Sequence, residues 1–340
     1  MLLAVKARRM LKSPYLLFLG NTTDPSYAKT AFGLRDWVPE RCAGQLRLGA
    51  AVDLGLEDLS LEEAAAKGVA TLVIGVAPPG GQLPAAWVST IVAALNLGLD
   101  VASGLHTRLS QINEIATAAE LNAACLHDVR VPREDYPVAN GKRRTGKRLL
   151  TVGTDCAVGK KYAALSIFRS MQESGIKSSF RATGQTGILL SGDGVPVDSV
   201  IADFISGAAE VLSPDNDADH WDVIEGQGSL FHPAYAGVTT GLIHGSQPDA
   251  LLLCDEAGKE EIYGYPGFKI PSLKKAMSVY QDVARLTNPD ASFVGVAINT
   301  ASMSEDDALQ WLARNSTELE LPCVDPFRFG VEPLMSQFMS

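Results

Sequence analysis

The residues best placed to do chemistry lie between Leu149 and Lys161. An apolar run, Leu149–Val152, enters Gly153-Thr154-Asp155-Cys156-Ala157-Val158-Gly159, and Lys160-Lys161 open an Ala/Leu-rich stretch. A buried strand, a glycine-bounded loop and a lysine at a helix start make an anion cradle. The loop N–H groups turn inward, the helix end contributes about half a positive charge, and the lysine adds a full one. A glycine turn between strand and helix is common by itself; glycines, lysine and context together point to phosphate. Two features depart from the pattern G-x-x-x-x-G-K-[ST]. Gly153 and Gly159 stand one residue farther apart, and Lys161 replaces the Ser/Thr that normally ligates Mg²⁺. An ammonium cannot coordinate a cation and repels one, whereas it neutralises phosphate directly. Residues 153–161 are therefore expected to hold, without a metal, a phosphorylated ligand whose phosphates stay intact.

Other candidates follow later strands. Glu225 ends the apolar segment Asp222–Glu225; in an ATP enzyme it would hold Mg²⁺, and here it is read as the base that takes a proton from a substrate ammonium. Gln227, between Gly226 and Gly228, can hydrogen-bond an amide-like intermediate. His232 is a rival base because its ordinary pKa lies near neutrality, set against the commoner structural role of a lone histidine. Arg181, Thr183, Gln185 and Thr186 are assigned to the substrate: the guanidinium can fork onto a carboxylate or a phosphate, or form an ordinary ion pair. Asp193 is placed with them, in a glycine-rich loop that also carries Asp198, equally an N-cap. Cys156 is flanked by a helix terminus and two lysines that would lower a thiol pKa. No histidine is adjacent in sequence, so it is read as a small side chain in a crowded loop, without a catalytic role.

These residues need a sheet to bring them to one edge. After a polar, basic stretch from Pro132 to Arg148, strands are expected at Leu149–Val152, Ser178–Ala182, Asp222–Glu225, Ala250–Cys254 and Ser292–Ile298. They alternate with helices at Lys160–Glu173, Val200–Val211, Ser272–Leu286 and Ser304–Arg314. Such alternation implies a mainly parallel sheet, with ligands at the carboxyl ends of its strands. Upstream, Val69–Val76 and Leu99–Ala102 read as strands, with helices from Pro84 to about Leu95 and from Leu109 to about Asn122. The basic stretch around Lys6, Arg8 and Arg9 followed by Tyr15–Leu19 imitates a signal peptide, but the apolar run is short and reads as a first strand. The fold class is therefore α/β: an N-terminal Rossmann-like domain over 1–137 and a C-terminal P-loop domain over 138–340, in keeping with a chain of 340 residues.

Composition narrows the partners. A 46% hydrophobic content excludes general disorder, and a net charge of −10 argues against nucleic acid or an anionic membrane. No run approaches the roughly 20 apolar residues of a membrane span. Five scattered cysteines without a C-x-x-C pair suggest neither disulfides nor a zinc site, and fit a reducing cytoplasm. Small molecules are the expected partners, and a homo-oligomer is the default assembly.

The loop Gly153–Lys160 resembles the GTD-x-x-VGK loop of dethiobiotin synthetase, and Asp222–Gly228 resembles that enzyme's V-x-E-G-x-G strand end. Over nearly its whole length the chain resembles a two-domain bacterial and archaeal P-loop family, long without an assigned function. The shared traits are VGTDC-x-VGK, the ATGQTG segment (Ala182–Gly187), EGQGSL-x-HP (Glu225–Pro233) and A-K-T-A-x-G (Ala28–Gly33). That family includes a D-glutamate N-acetyltransferase. The resemblance implies acetyl-CoA as co-substrate, held by the loop of the C-terminal domain, and transfer of acetyl to the amine of a D-amino acid, D-glutamate first. Asn299, at the end of the last long strand, stands where P-loop relatives recognise a purine. The alternatives are an ATP-dependent ligase or kinase of the dethiobiotin synthetase type, and a non-catalytic nucleotide-binding module.

Overall fold

The computed structural model describes residues 11–339; the stretch around Lys6, Arg8 and Arg9 lies outside them. The chain forms two compact units. One runs to Pro132 and takes in Gln185–Pro196; the other comprises Arg133–Gly184 and the chain from Val197 onward.

The first unit holds strands β1 (Tyr15–Gly20), β2 (Cys42–Arg47), β3 (Thr71–Ile74), β4 (Asp100–Ser103) and β5 (Leu126–Asp128). They form an all-parallel sheet in the order β2-β1-β3-β4-β5. Its helices are α1 (Lys29–Trp37), α2 (Leu61–Ala66), α3 (Val88–Asn96) and α4 (Asn113–Leu121). The central strands are fully buried, as a parallel sheet covered on both faces requires, with Thr71, Asp100 and Ser103 as buried polar residues at strand ends. Two expected helices begin later than their pattern. Pro84 and Ile112 are extended, so only short 3₁₀ turns precede α3 and α4.

The second unit opens with β6 (Lys147–Gly153), α5 (Lys160–Glu173) and β7 (Ser178–Arg181). After β7 the chain visits the first unit as α6 (Gln185–Ser191) and returns to form α7 (Ile205–Leu212), β8 (Trp221–Ile224), α8 (Ala236–Ser246) and β9 (Ala250–Glu256). It closes with α9 (Leu273–Arg285), β10 (Ser292–Asn299), α10 (Glu305–Leu319), β11 (Cys323–Val324) and α11 (Glu332–Met335). The sheet order is β11-β10-β9-β6-β8-β7, again all parallel. The helix expected from Val200 is shorter, because extended Ile201 confines its first turn to a 3₁₀ segment, Ala202–Phe204.

In this sheet β6 is the switch point. The chain leaves it toward β7 and β8 on one side and toward β9, β10 and β11 on the other, which opens a crevice at its carboxyl end. Small residues at the start of α5, Ala163 and Ala164, sit in the core with Ile167 and Met171 against Leu149, Val223 and Leu252. Close packing of that helix on the sheet fixes the loop that precedes it.

Candidate active site around the phosphate loop

The loop from Thr154 to Gly159 follows β6, and α5 starts at Lys160 with Gly159 as a left-handed N-cap (φ 96°). No side chain caps the helix, so its first N–H groups have no intrahelical acceptor and face outward for an anion. Lys160 is buried and curls back to donate from Nζ to the Asp155 carbonyl at 2.7 Å. Burial pushes its ammonium pKa down.

Each neighbouring strand end contributes a clamp. Thr154 donates its hydroxyl to the buried Asp255 carboxylate at the end of β9. Tyr280 donates to the Gly153 carbonyl (2.7 Å) and accepts from Leu230 N–H (3.0 Å). It reaches the loop because Ala276, Tyr280 and Ala284 form the buried stripe of α9 at helical spacing. Ser229 donates to the Thr154 carbonyl at 3.0 Å. Gly226 lets the segment after β8 close on β6: a Cβ there would lie 1.7 Å from the Thr151 carbonyl oxygen.

Asp155 is fully buried inside the loop. One carboxylate oxygen accepts the Cys156 N–H (2.6 Å); the other accepts the Tyr263 N–H (2.7 Å) and lies 3.0 Å from Lys259 Nζ. The loop anion is thus neutralised by a cation from the segment after β9. Donor atoms of Asp155, Cys156 and His232 all lie within 4.8 Å of one another. His232 is buried, stacks on Tyr235 (centroids 4.5 Å apart) and meets Tyr265 edge-on (4.9 Å). Its Nδ1 accepts the Ala234 N–H at 3.2 Å, which places the ring proton of the neutral form on Nε2. Burial raises the Cys156 thiol pKa, against the pull of Lys160.

Glu225 caps the turn after β7. Its Oε2 accepts the N–H groups of Thr183 (3.0 Å) and Gly184 (3.1 Å), while the Thr183 hydroxyl donates to the Glu225 carbonyl at 2.5 Å. Those bonds and the charge of Lys161 favour the carboxylate, yet burial outweighs them and raises its pKa. The Gln227 amide packs over Gly184, next to Glu225.

The fold therefore brings the nine loop residues, Glu225, Gln227, His232 and Thr183 around the carboxyl ends of β6 and β8. Other candidates lie elsewhere. Arg181 turns back along the sheet to Asp222 (2.8 Å), whose other oxygen accepts from Ser213, itself bonded by buried Arg148. The Nε of the Arg181 guanidinium is held in an ion pair, with the side chain partly exposed. Asn299 ends β10 and accepts the Ala301 N–H at 3.1 Å. Gln185, Thr186 and Asp193 belong to the first unit; Thr186 shares a 2.9 Å hydroxyl contact with Thr30, and Asp193 accepts the Gly194 N–H. Sequence reasoning passed over Asp255, Lys259 and Tyr280. Asp255 had a signal, an acid closing an apolar strand; the other two become loop partners only through the fold.

Comparison with known proteins places this architecture. A P-loop domain of unknown function, DUF1611, matches residues 137–335, and the Rossmann-like N-terminal domain of the same name matches 40–132. The chain is 51% identical to a D-glutamate N-acetyltransferase of Tritonibacter scottomollicae and 46% identical to one from a Pseudoalteromonas species. Each alignment covers 96% of this chain and 98% of the relative. A crystal structure of a DUF1611 family protein from Anabaena variabilis superposes with a TM-score of 0.86 at 33% identity, covering 96% of this chain and 99% of that one.

Proposed function

The chain belongs to the DUF1611 family, and from that premise we propose that it transfers the acetyl group of acetyl-CoA to the amine of D-glutamate, giving N-acetyl-D-glutamate and free CoA. Two relatives that align over nearly the full length carry that name. The observation that carries the reading in this chain is the doubled lysine: Lys161 stands where a Mg²⁺-ligating hydroxyl belongs. Such a loop suits CoA, whose phosphates must be gripped and left intact.

In this account residues 153–161 take the phosphates, with Lys160 and Lys161 as counter-charges. Asn299, which ends β10, is assigned to the purine base. Glu225 takes a proton from the acceptor ammonium, and its raised pKa brings it closer to the working pH, as general-base chemistry favours. Gln227 and the Thr183 segment orient the reacting groups. The neutral amine then receives the acetyl group, and CoA leaves as the thiol. The net charge of −10 agrees with an enzyme that acts on small molecules and not on nucleic acid or anionic membranes; among the described residues no helix is long and apolar enough to cross a membrane.

One observation favours a second reading, an ATP-dependent ligase or kinase: Glu225 and Asp255 are carboxylates beside a phosphate loop, where Mg²⁺ ligands often stand. Titration calorimetry separates the two. CoA binding that is indifferent to Mg²⁺ and tighter than ATP binding supports acetyl transfer; tight, Mg²⁺-dependent ATP binding without CoA binding overturns it.

A further inference from the structure

We propose that Cys156 carries the acetyl group as a thioester between acetyl-CoA and the acceptor amine, with His232 as its proton acceptor. The proposal rests on the acetyltransferase reading and specifies its chemistry. The linear sequence gives Cys156 no histidine; the fold supplies His232 from the segment after β8 and sets thiol, imidazole and the Asp155 carboxylate within 4.8 Å of one another. A nucleophilic thiol with a base beside it supplies the parts needed for acyl transfer through sulfur.

Cys254 and Cys323 are buried, whereas Cys156, like Cys42 and Cys125, is partly exposed. Burial lifts the Cys254 thiol to about 12 and Cys42 to about 12. Around Cys156 the charged groups are Lys160 and Lys259, which favour a thiolate, and Asp155, which opposes it. The thiol is not acidic on its own, so it needs a partner to take the proton. His232 fills that role by giving up the 3.2 Å bond from Ala234 to Nδ1.

The steps balance without an oxidant or reductant. Cys156 Sγ attacks the thioester carbon and its proton passes to His232. The C–S bond to CoA breaks, and the departing thiolate takes that proton and leaves as free CoA. The neutral acceptor amine then attacks the S-acetyl carbon. Its surplus proton moves through His232 to the departing Cys156 sulfur, which restores the thiol and releases the amide.

The test uses the full chain and acetyl-CoA without acceptor, quenched rapidly and weighed intact. A mass gain of one acetyl group, mapped to the peptide holding Cys156 and removed by D-glutamate, is the expected result. Initial rates against both substrates should give parallel double-reciprocal lines. Cys156→Ala should show no adduct and lose at least about a hundredfold in rate, and Cys156→Ser serves if the alanine variant does not fold. Amide formation with no adduct and intersecting lines would overturn the proposal while leaving the acetyltransferase reading intact. Absence of thiol release with any acceptor would instead count against that reading, and the proposal would fall with it.

Discussion

Among the described residues are two Asp/Cys/His clusters, one in each unit, and their difference is instructive. In the C-terminal unit Asp155, Cys156 and His232 gather at the carboxyl end of β6. In the N-terminal unit Asp100, Cys125 and His127 are equally close together, but Asp100 and Cys125 lie at the amino ends of β4 and β5. There one Asp100 oxygen accepts the Cys125 N–H (2.7 Å), and the other lies 3.1 Å from Lys12 Nζ. Parallel α/β sheets bind ligands beyond the carboxyl ends of their strands, where loops diverge and helix N-termini converge. Asp100 and Cys125 start from the other end of their strands, although Cys125 and His127 do line a cavity with Arg108, Ser110 and Asp128. Residue type alone does not make a site; its place on the sheet does.

The sharpest way to break this contrast is to remove each histidine. His232→Ala should lower the rate of thiol release at least about a hundredfold, the usual scale for loss of a general acid–base, while His127→Ala should stay within about twofold. Equal losses would erase the distinction. Replacing the lysines tests the same contrast through binding. Lys160→Ala should weaken CoA about 10- to 100-fold in calorimetry, as expected for a charge-assisted hydrogen bond, and Lys12→Ala should leave CoA affinity unchanged.

Glu225 gives a pH signature. Its folded pKa lies above the ordinary carboxylate value, so the folded chain holds this proton longer than the unfolded one. The associated stability is complete below the unfolded pKa and is lost as pH rises through the folded pKa. Glu225→Gln, which mimics the neutral acid, should therefore melt higher than the parent at about pH 8 and match it below about pH 4. The same variant should lose about a hundredfold in kcat with little change in KM for acetyl-CoA. Melting curves that stay parallel across that range would contradict the burial argument.

Tyr280→Phe is the mildest of these changes. It strips the hydroxyl from between the Gly153 carbonyl and the Leu230 N–H and should cost about 1 kcal/mol in denaturant unfolding. An unchanged midpoint would mean that the loop does not depend on this clamp.

Much of the C-terminal unit was legible because its signals are local. An apolar run before Gly153, alternation of strand and helix patterns, and an acid closing a strand at Glu225 need no knowledge of distant contacts. The helix α8 escaped notice because glycines and threonines replace the usual apolar stripe. The identity of the Arg181 ion-pair partner, Asp222, left no local trace because it comes from another strand that points to the same face. The visit of Gln185–Pro196 to the first unit also left no local trace: ATGQTG looks like a loop wherever it packs. Cys156 illustrates the same limit, since His232 becomes its neighbour only when β6 and β8 pair.

The most direct test is to incubate the purified chain with acetyl-CoA and either D- or L-glutamate while following free thiol and the acetylated product. The account predicts CoA release and N-acetyl-D-glutamate in the D-glutamate reaction, unaffected by a chelator. It would be contradicted by no thiol release across a panel of D- and L-amino acids together with Mg²⁺-dependent ADP formation from ATP.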